Sequence, residues 1–378
     1  MPIRVYMFPG QGSQQPGMGR ELFSQFPDLT RIADDILGYS IERLCLDDPD
    51  GELNKTQYTQ PAIYVVNALS YLKKRQETGI QPDFVLGHSL GEFNALLAAE
   101  CFDFATGLKL VKKRGELMAQ AAGGGMAAVL GLSEAKLRAF LTERKLDDID
   151  LANFNTPSQI VISGPSDTVT KALDAFAQSG IRCVPLNTSG AFHSRLMQGA
   201  KEKFEHYLQD FPFSAPKIPV IANTTARPYE DDKLLTGLAQ QIASPVRWTA
   251  SIQYLLSLGA PDFTELGHSE VVSGLVDKIK AETTEDELQS IRLQRHENTM
   301  ATGAATAADS TADSMALAPA EKIAQWNSRF PIGQKVHSTI LNAEAETRTE
   351  ALLLFQHRAA VYLKGYNGYF ELDELKPI

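Results

Sequence analysis

The sequence predicts an α/β protein: a parallel sheet covered on both faces by helices, with a smaller ferredoxin-like unit inserted into it. Short apolar runs suited to buried strands, at 3–8 and 83–86, alternate with stretches whose apolar positions recur every three or four residues, as in a sheet sandwiched between helices. Between 126 and 186 the order becomes strand, helix, strand, strand, helix, strand, the split βαβ arrangement.

Residues 3–8 form a short strand, ended by the turn-forming run Pro9-Gly10-Gln11-Gly12-Ser13-Gln14. From Glu21 to Gln76 the pattern is mostly helical, with Val65, Leu69 and Leu72 on one side. Asp83–Leu86 is a second strand and runs directly into Gly87-His88-Ser89-Leu90-Gly91, after which Phe93–Ala99 is helical. Phe104–Gln120 is another helix, its face of Leu108, Val111 and Leu117 flanked by Lys109, Lys112, Lys113 and Arg114.

The composition changes at Gly123-Gly124-Gly125. Strands at Met126–Leu132, Asp150–Phe154, Gln159–Ser163 and Arg182–Leu186, with helices at Ser133–Leu141 and Ser166–Ser179, make up the inserted unit. Lys217–Ile221 and Asp262–Leu266 are further strands of the first layer. Residues 1–124 and 191–295 are therefore expected to form an α/β-hydrolase-like large subdomain, and 125–190 the ferredoxin-like small one. From Asn298 to Pro319 there is no aromatic, Lys or Arg, and too little apolar surface to offset ordering entropy, so 298–319 is expected to be a flexible linker. Residues 320–378 regain aromatics, but about 60 residues bury little by themselves, so this C-terminal segment is expected to dock on another surface.

The chain has 378 residues, and 36 bases against 46 acids leave a net charge of −10. That sign argues against a nucleic-acid binder, which needs a positive field to neutralise phosphates. Cys45, Cys101 and Cys183 are widely spaced and odd in number, with no CxxC, arguing against both a disulfide framework and a thiolate zinc site. The N-terminal apolar run is too short for a signal peptide, and no stretch approaches the ~20 apolar residues a bilayer span requires. A cytoplasmic protein without membrane partners is expected.

Chemistry enters at Gly87-His88-Ser89-Leu90-Gly91, a G-x-S-x-G sequence between a strand and a helix. A sharp strand-to-helix turn projects the serine hydroxyl, small residues on either side leave room for it, and the following helix turns its N-terminal N–H groups toward the site. A serine hydroxyl needs a base, and histidine is the usual one. Of the seven histidines, His88 adjoins the serine, where the preceding side chain of such a turn is expected to point away. His206 sits in a polar helix, while His296, His337 and His357 fall near or beyond the linker. His193, in a segment of small residues, and His268, just after a strand, remain as candidates, with His193 the better placed for a cleft.

Six stretches, in order, resemble the malonyl-CoA:acyl-carrier-protein transacylases and the acyltransferase domains of polyketide synthases. They are Phe8-Pro-Gly-Gln-Gly-Ser-Gln14, Gly87-His-Ser-Leu-Gly-Glu92, Arg114 within 111–118, Asn153-Phe-Asn-Thr-Pro157 with Gln159, Phe192-His-Ser194, and Gln241 within 241–248. The likeness spans roughly residues 3–290. It implies that Ser89 takes the acyl group from coenzyme A, with His193 as general base and then acid. The backbone N–H groups of Gln11 and Leu90 would form the oxyanion hole. Arg114 would pair with the free malonate carboxylate through two charge-assisted hydrogen bonds. Gln241 would orient His193 through its backbone carbonyl, in place of the acid of hydrolase triads, and Asn155 would line the site.

Phe192 before the histidine goes with malonate in this family, because a phenyl ring fills the space a 2-methyl group needs. The resemblance implies malonyl-CoA and carrier-protein domains as partners and no metal or nucleotide cofactor. Both partners are acidic, so a local positive patch is needed on this acidic body, with Lys109, Lys112, Lys113, Arg195, Lys201, Lys203 and Arg247 as candidates. The tail, including Gly365-Tyr-Asn-Gly-Tyr-Phe370, resembles the region after freestanding acyltransferases that serve polyketide synthase modules in trans. The rival reading is a thioester hydrolase built on the same Ser89 and His193. In such acyl-hydrolases the arginine is often replaced, and here it is retained.

Overall fold

A computed structural model describes residues 2–378 except 122, 189, 296–317, 342, 355–357 and 367. The chain opens with β1 (Ile3–Phe8), passes through helices Arg20–Phe23, Pro27–Leu37, Ile41–Asp47 and Thr56–Thr78, and reaches β2 (Phe84–Gly87). β1 pairs parallel with β2 from Val5 opposite Phe84 to Phe8 opposite Gly87. After the small sheet described below, the chain returns with β7 (Val220–Ile221) and β8 (Pro261–Glu265), completing a parallel sheet of order β7-β2-β1-β8.

Helices Thr56–Thr78, Gly91–Ala98 and Phe104–Ala119 cover one face of this sheet, burying Tyr64, Val65, Leu69, Phe93, Leu108 and Val111 together. The helix at 104 starts where Asp103 accepts a hydrogen bond from the Thr106 N–H at 2.7 Å, an N-cap that satisfies an orphan donor. It packs closely because Gly107 faces Tyr64, whose hydroxyl would stand 2.1 Å from any Cβ there. On the other face, Trp248, Ile252, Leu255, Val276 and Ile279 pack against β1 and β2.

The inserted sheet comprises β3 (Gly124–Leu130), β4 (Asp150–Thr156), β5 (Gln159–Pro165) and β6 (Cys183–Pro185), in the antiparallel order β4-β5-β3-β6. With helices Glu134–Glu143 and Ser166–Gln178 it has a core of its own around Val129, Leu137, Ile162 and Phe176. This is the ferredoxin-like arrangement predicted from the element order. β3 begins two residues earlier than the apolar pattern suggested. Gly124 belongs to the strand, where a Cβ would stand 2.3 Å from the Ala191 nitrogen. The small sheet is tied by main chain to the segment that leads into helix Trp248–Ser257: the Phe154 N–H donates to the Val246 carbonyl and the Val246 N–H to the Ala152 carbonyl, both at 2.9 Å.

Most of the expected linker lies outside the described residues, but its end does not. Pro319 is the first residue of helix Pro319–Arg329, a position where the missing N–H costs nothing. Beyond it, β9 (Lys335–Ser338), β10 (Ala343–Glu346) and β14 (Leu375–Pro377) form one three-stranded sheet. A second is formed by β11 (Leu352–Leu354), β12 (Arg358–Tyr362) and β13 (Tyr369–Glu371). Leu352, Leu354, Ala360 and Tyr362 join the core on the β1–β2 face. There Arg348 forms a buried ion pair with Asp83 at the start of β2, and the Tyr362 hydroxyl donates to the Asp83 carbonyl at 3.0 Å.

Candidate active site

β2 ends in a turn so tight that three glycines are dictated by contact. A Cβ on Gly87 would lie 1.9 Å from the Gly91 carbonyl carbon, one on Gly91 2.1 Å from the Phe8 oxygen, and one on Gly10 2.3 Å from the His88 oxygen. At the apex Ser89 adopts φ 51°, a left-handed conformation that a non-glycine residue holds only under constraint. The constraint is Asn223. Its Oδ1 accepts from the Ser89 N–H and its Nδ2 donates to the Gly87 carbonyl, each at 2.7 Å. The helix Gly91–Ala98 leaves directly from this turn.

Ser89 Oγ lies 2.7 Å from His193 Nε2. The other ring nitrogen of His193, Nδ1, is 2.8 Å from the Gln241 carbonyl oxygen and 3.2 Å from that of Ser244. Carbonyl oxygens only accept, so Nδ1 carries the proton and Nε2 presents its lone pair to the serine hydroxyl. Burial, aided by the Arg114 cation, lowers the His193 pKa to about 3, which keeps the imidazole neutral and able to take a proton. The rival His268 lines a different groove with Gly17, Arg20 and Lys73. His88 is bonded away from the serine hydroxyl: its Nε2 meets Asn155 Oδ1 at 2.8 Å and its ring packs 5.4 Å from that of Trp248, while it also lines the same cavity as Ser89.

Arg114 is 1 % exposed. Its Nη1 donates to Gln60 Oε1 at 2.8 Å, and its Nη2 to Gln241 Oε1 at 2.7 Å and Ser89 Oγ at 3.1 Å. Its Nε has no partner among the described residues. The Phe93 ring lies 5.6 Å beneath the guanidinium, and burial lowers the Arg114 pKa to about 10. A cation so placed, beside a nucleophile and bonded only to neutral acceptors, is prepared for a carboxylate brought in by a ligand.

The cavity between the two sheets measures about 220 Å³. Gln11, Leu90, Phe192 and Asn155 all line it, together with Met118, Met126, Ala128 and Val161, which the sequence did not single out. The backbone N–H groups of Gln11 and Leu90 make no hydrogen bond among the described residues. Gln60 and Asn223 escaped the sequence reading, and Glu92 entered it only as the end of a motif, with no role assigned. Glu92 is wholly buried, and its pKa is raised to about 7 by that burial. A lone acid among the apolar residues of 91–98 was the available signal.

The expected basic patch is partly used up internally. Arg195 is held by Asp150, Lys201 by Glu205 at 2.6 Å, and Lys112 by the Ile36 carbonyl at 2.9 Å. Lys113 lies over the Tyr207 ring, while Lys109, Lys203 and Arg247 are exposed.

The acyl transferase domain family matches residues 5–314. The chain belongs to that family. It is 56% identical over 278 residues to the polyketide biosynthesis malonyl CoA-acyl carrier protein transacylase PksC of Bacillus subtilis, covering 73% of this chain and 96% of that protein. Among solved structures, the malonyl CoA-acyl carrier protein transacylase of Burkholderia pseudomallei superposes with a TM-score of 0.74 at 55% identity, covering 75% of this acyl transferase and all (100%) of that chain. The malonyl-transacylase PlMCAT, solved in complex with the type II PKS acyl-carrier protein AntF, superposes with a TM-score of 0.69 at 34% identity, covering 73% and 92% respectively. No helix among the described residues is long and apolar enough to cross a membrane.

Proposed function

We propose that this acyl transferase moves a malonyl group from malonyl-CoA to the phosphopantetheine thiol of an acyl carrier protein, acting in trans for a polyketide synthase in the cytoplasm. The observation that carries the substrate is the buried Arg114 guanidinium 3.1 Å from Ser89 Oγ. An uncharged acyl chain has no use for it, whereas a malonyl carboxylate entering a dry cleft requires it.

Ser89 Oγ attacks the thioester carbonyl and passes its proton to His193 Nε2. The negative charge gathering on the carbonyl oxygen is met by the Gln11 and Leu90 N–H groups. The C–S bond breaks, His193 returns the proton to the departing coenzyme A thiolate, and the malonyl ester remains on Ser89. The carrier thiol then attacks that ester, its proton moving through His193 to Ser89 Oγ. Gln241 holds the imidazole by its carbonyl, Phe192 limits the volume beside the acyl α-carbon, and Asn155 borders the cleft. Residues 1–124 with 191–295 supply nucleophile, base and arginine, 125–190 close the other wall, and 320–378 serve as a docked C-terminal segment. No metal or nucleotide cofactor enters these steps, and neither nucleic acid nor membrane is a partner.

Intact-mass measurement after mixing with malonyl-CoA tests the reading. A malonyl increment should form on the wild type, be absent from Ser89→Ala, and pass to added holo-carrier protein faster than free malonate accumulates. Free malonate as the main product would mark a hydrolase instead, and no increment at all would refute the proposal.

A further inference from the structure

We propose that Glu92 is a positioning residue: together with the Ser89 carbonyl it fixes which end of the Gln241 amide faces Arg114, and so keeps the guanidinium held but unneutralised for the substrate carboxylate. This role rests on the malonyl-transfer reading above and adds to it a side chain in contact with neither the cavity nor Ser89 Oγ.

An amide side chain can be turned either way, and here each end meets a group of fixed character. Gln241 Nε2 donates to Glu92 Oε2 at 2.5 Å and to the Ser89 carbonyl at 2.7 Å. Both are acceptors here, so both demand the NH₂ end, and Oε1 is thereby turned to Arg114 Nη2 at 2.7 Å. The opposite orientation would set amide N–H against guanidinium N–H. Glu92 is itself immobilised, since its Oε1 accepts from the Asn223 N–H at 2.8 Å and the Tyr229 hydroxyl at 3.0 Å.

The consequence is electrostatic. Every side chain hydrogen-bonded to Arg114 (Gln60, Gln241 and Ser89) is uncharged. The nearest compensating charge in the network stands one amide away. A carboxylate in direct contact would satisfy the cation and compete with the substrate. Placed behind Gln241, it stabilises the buried charge without occupying the binding face.

Single-turnover acylation of Ser89 by malonyl-CoA and by acetyl-CoA, read by intact mass, tests this. In Glu92→Gln the oxygen at 92 stays with the Asn223 N–H and the Tyr229 hydroxyl, so the new NH₂ faces the Gln241 NH₂ and opposes the orientation that the Ser89 carbonyl favours; the malonyl-to-acetyl rate ratio should fall by about tenfold or more, the scale of one lost hydrogen bond to a charged group. Tyr229→Phe leaves the Oε2–Gln241 bond in place and should retain the ratio. The exchange E92Q/Q241E restores the donor–acceptor match between 92 and 241, removes the donor to the Ser89 carbonyl and sets the carboxylate on Arg114, and should also lose the malonyl preference. A wild-type ratio in E92Q, or an equal loss for both acyl groups, overturns the proposal. If E92Q does not fold, a malonyl preference kept by the exchange variant overturns it alone. Failure of the wild type to form any malonyl adduct would instead defeat the transfer reading.

Discussion

At the scale of single residues, the base is set by what surrounds it. An exposed imidazole titrates near 6.5, but His193 is buried beside a cation, and both effects disfavour its protonated form. Lowering pH therefore leaves it neutral well past the ordinary histidine range. The His193 ring-proton resonance should stay fixed from about pH 5 to 8, and a midpoint near 6.5 would contradict this electrostatic account. Arg114→Ala removes one of the two causes and should move the midpoint upward. Phe192 is 4 % exposed and lines the cavity, so its ring occupies volume that a branched acyl group would need. Phe192→Ser should raise the methylmalonyl-to-malonyl ratio of kcat/KM by roughly tenfold, in keeping with the ~1–3 kcal/mol that one methyl group commands. An unchanged ratio would show that another wall sets the limit.

Among elements, the decisive contact is where the 9–14 turn presses on the serine turn. Gly10→Ala would drive a Cβ into the His88 carbonyl, 2.3 Å away, and backbone cannot yield as a side chain does. A loss of about 1–3 kcal/mol in urea unfolding is expected, together with a larger proportional loss of acylation rate, because the Gln11 N–H moves with the turn. Equal wild-type rates at reduced stability would argue that Gln11 is no oxyanion donor. Strand and helix order up to β8 was legible because most of its buried runs are short and apolar with glycine or proline nearby, while the helices carry period-3.6 faces; the six strands of 320–378 were not read, their runs being only three to five residues long. Ser89, His193 and Arg114 were legible through motif and chemistry. Asn223 and Gln60 were not, since a buried amide is recognised only by what the fold sets against it, and these partners lie 134 and 54 residues away in sequence. The partner of His88, Asn155, was equally hidden because it comes from the other sheet.

Over the whole molecule, the C-terminal segment reaches the strand that carries the nucleophile. Asp83 immediately precedes β2 and is 1 % exposed as a side chain; Arg348, its ion-pair partner, is 3 % exposed. Arg348 also donates to the Pro2 carbonyl at 2.9 Å, and Asp83 Oδ2 accepts from the Arg4 N–H at 2.7 Å. The pair thus joins the ends of β1 and β2 to the segment beyond residue 318. Burial raises the Asp83 pKa despite the arginine, which marks how much this carboxylate depends on its partner. Arg348→Ala leaves that carboxylate buried without its cation and should cost about 3–5 kcal/mol of unfolding free energy. Asp83→Asn combined with Arg348→Met removes both charges while keeping volume, and should recover most of that loss. Urea denaturation of the three proteins, with malonyl-Ser89 formation as a second readout, checks both statements. If Arg348→Ala unfolds at the wild-type denaturant concentration, the segment is an appendage rather than part of the same cooperative structure as the serine turn.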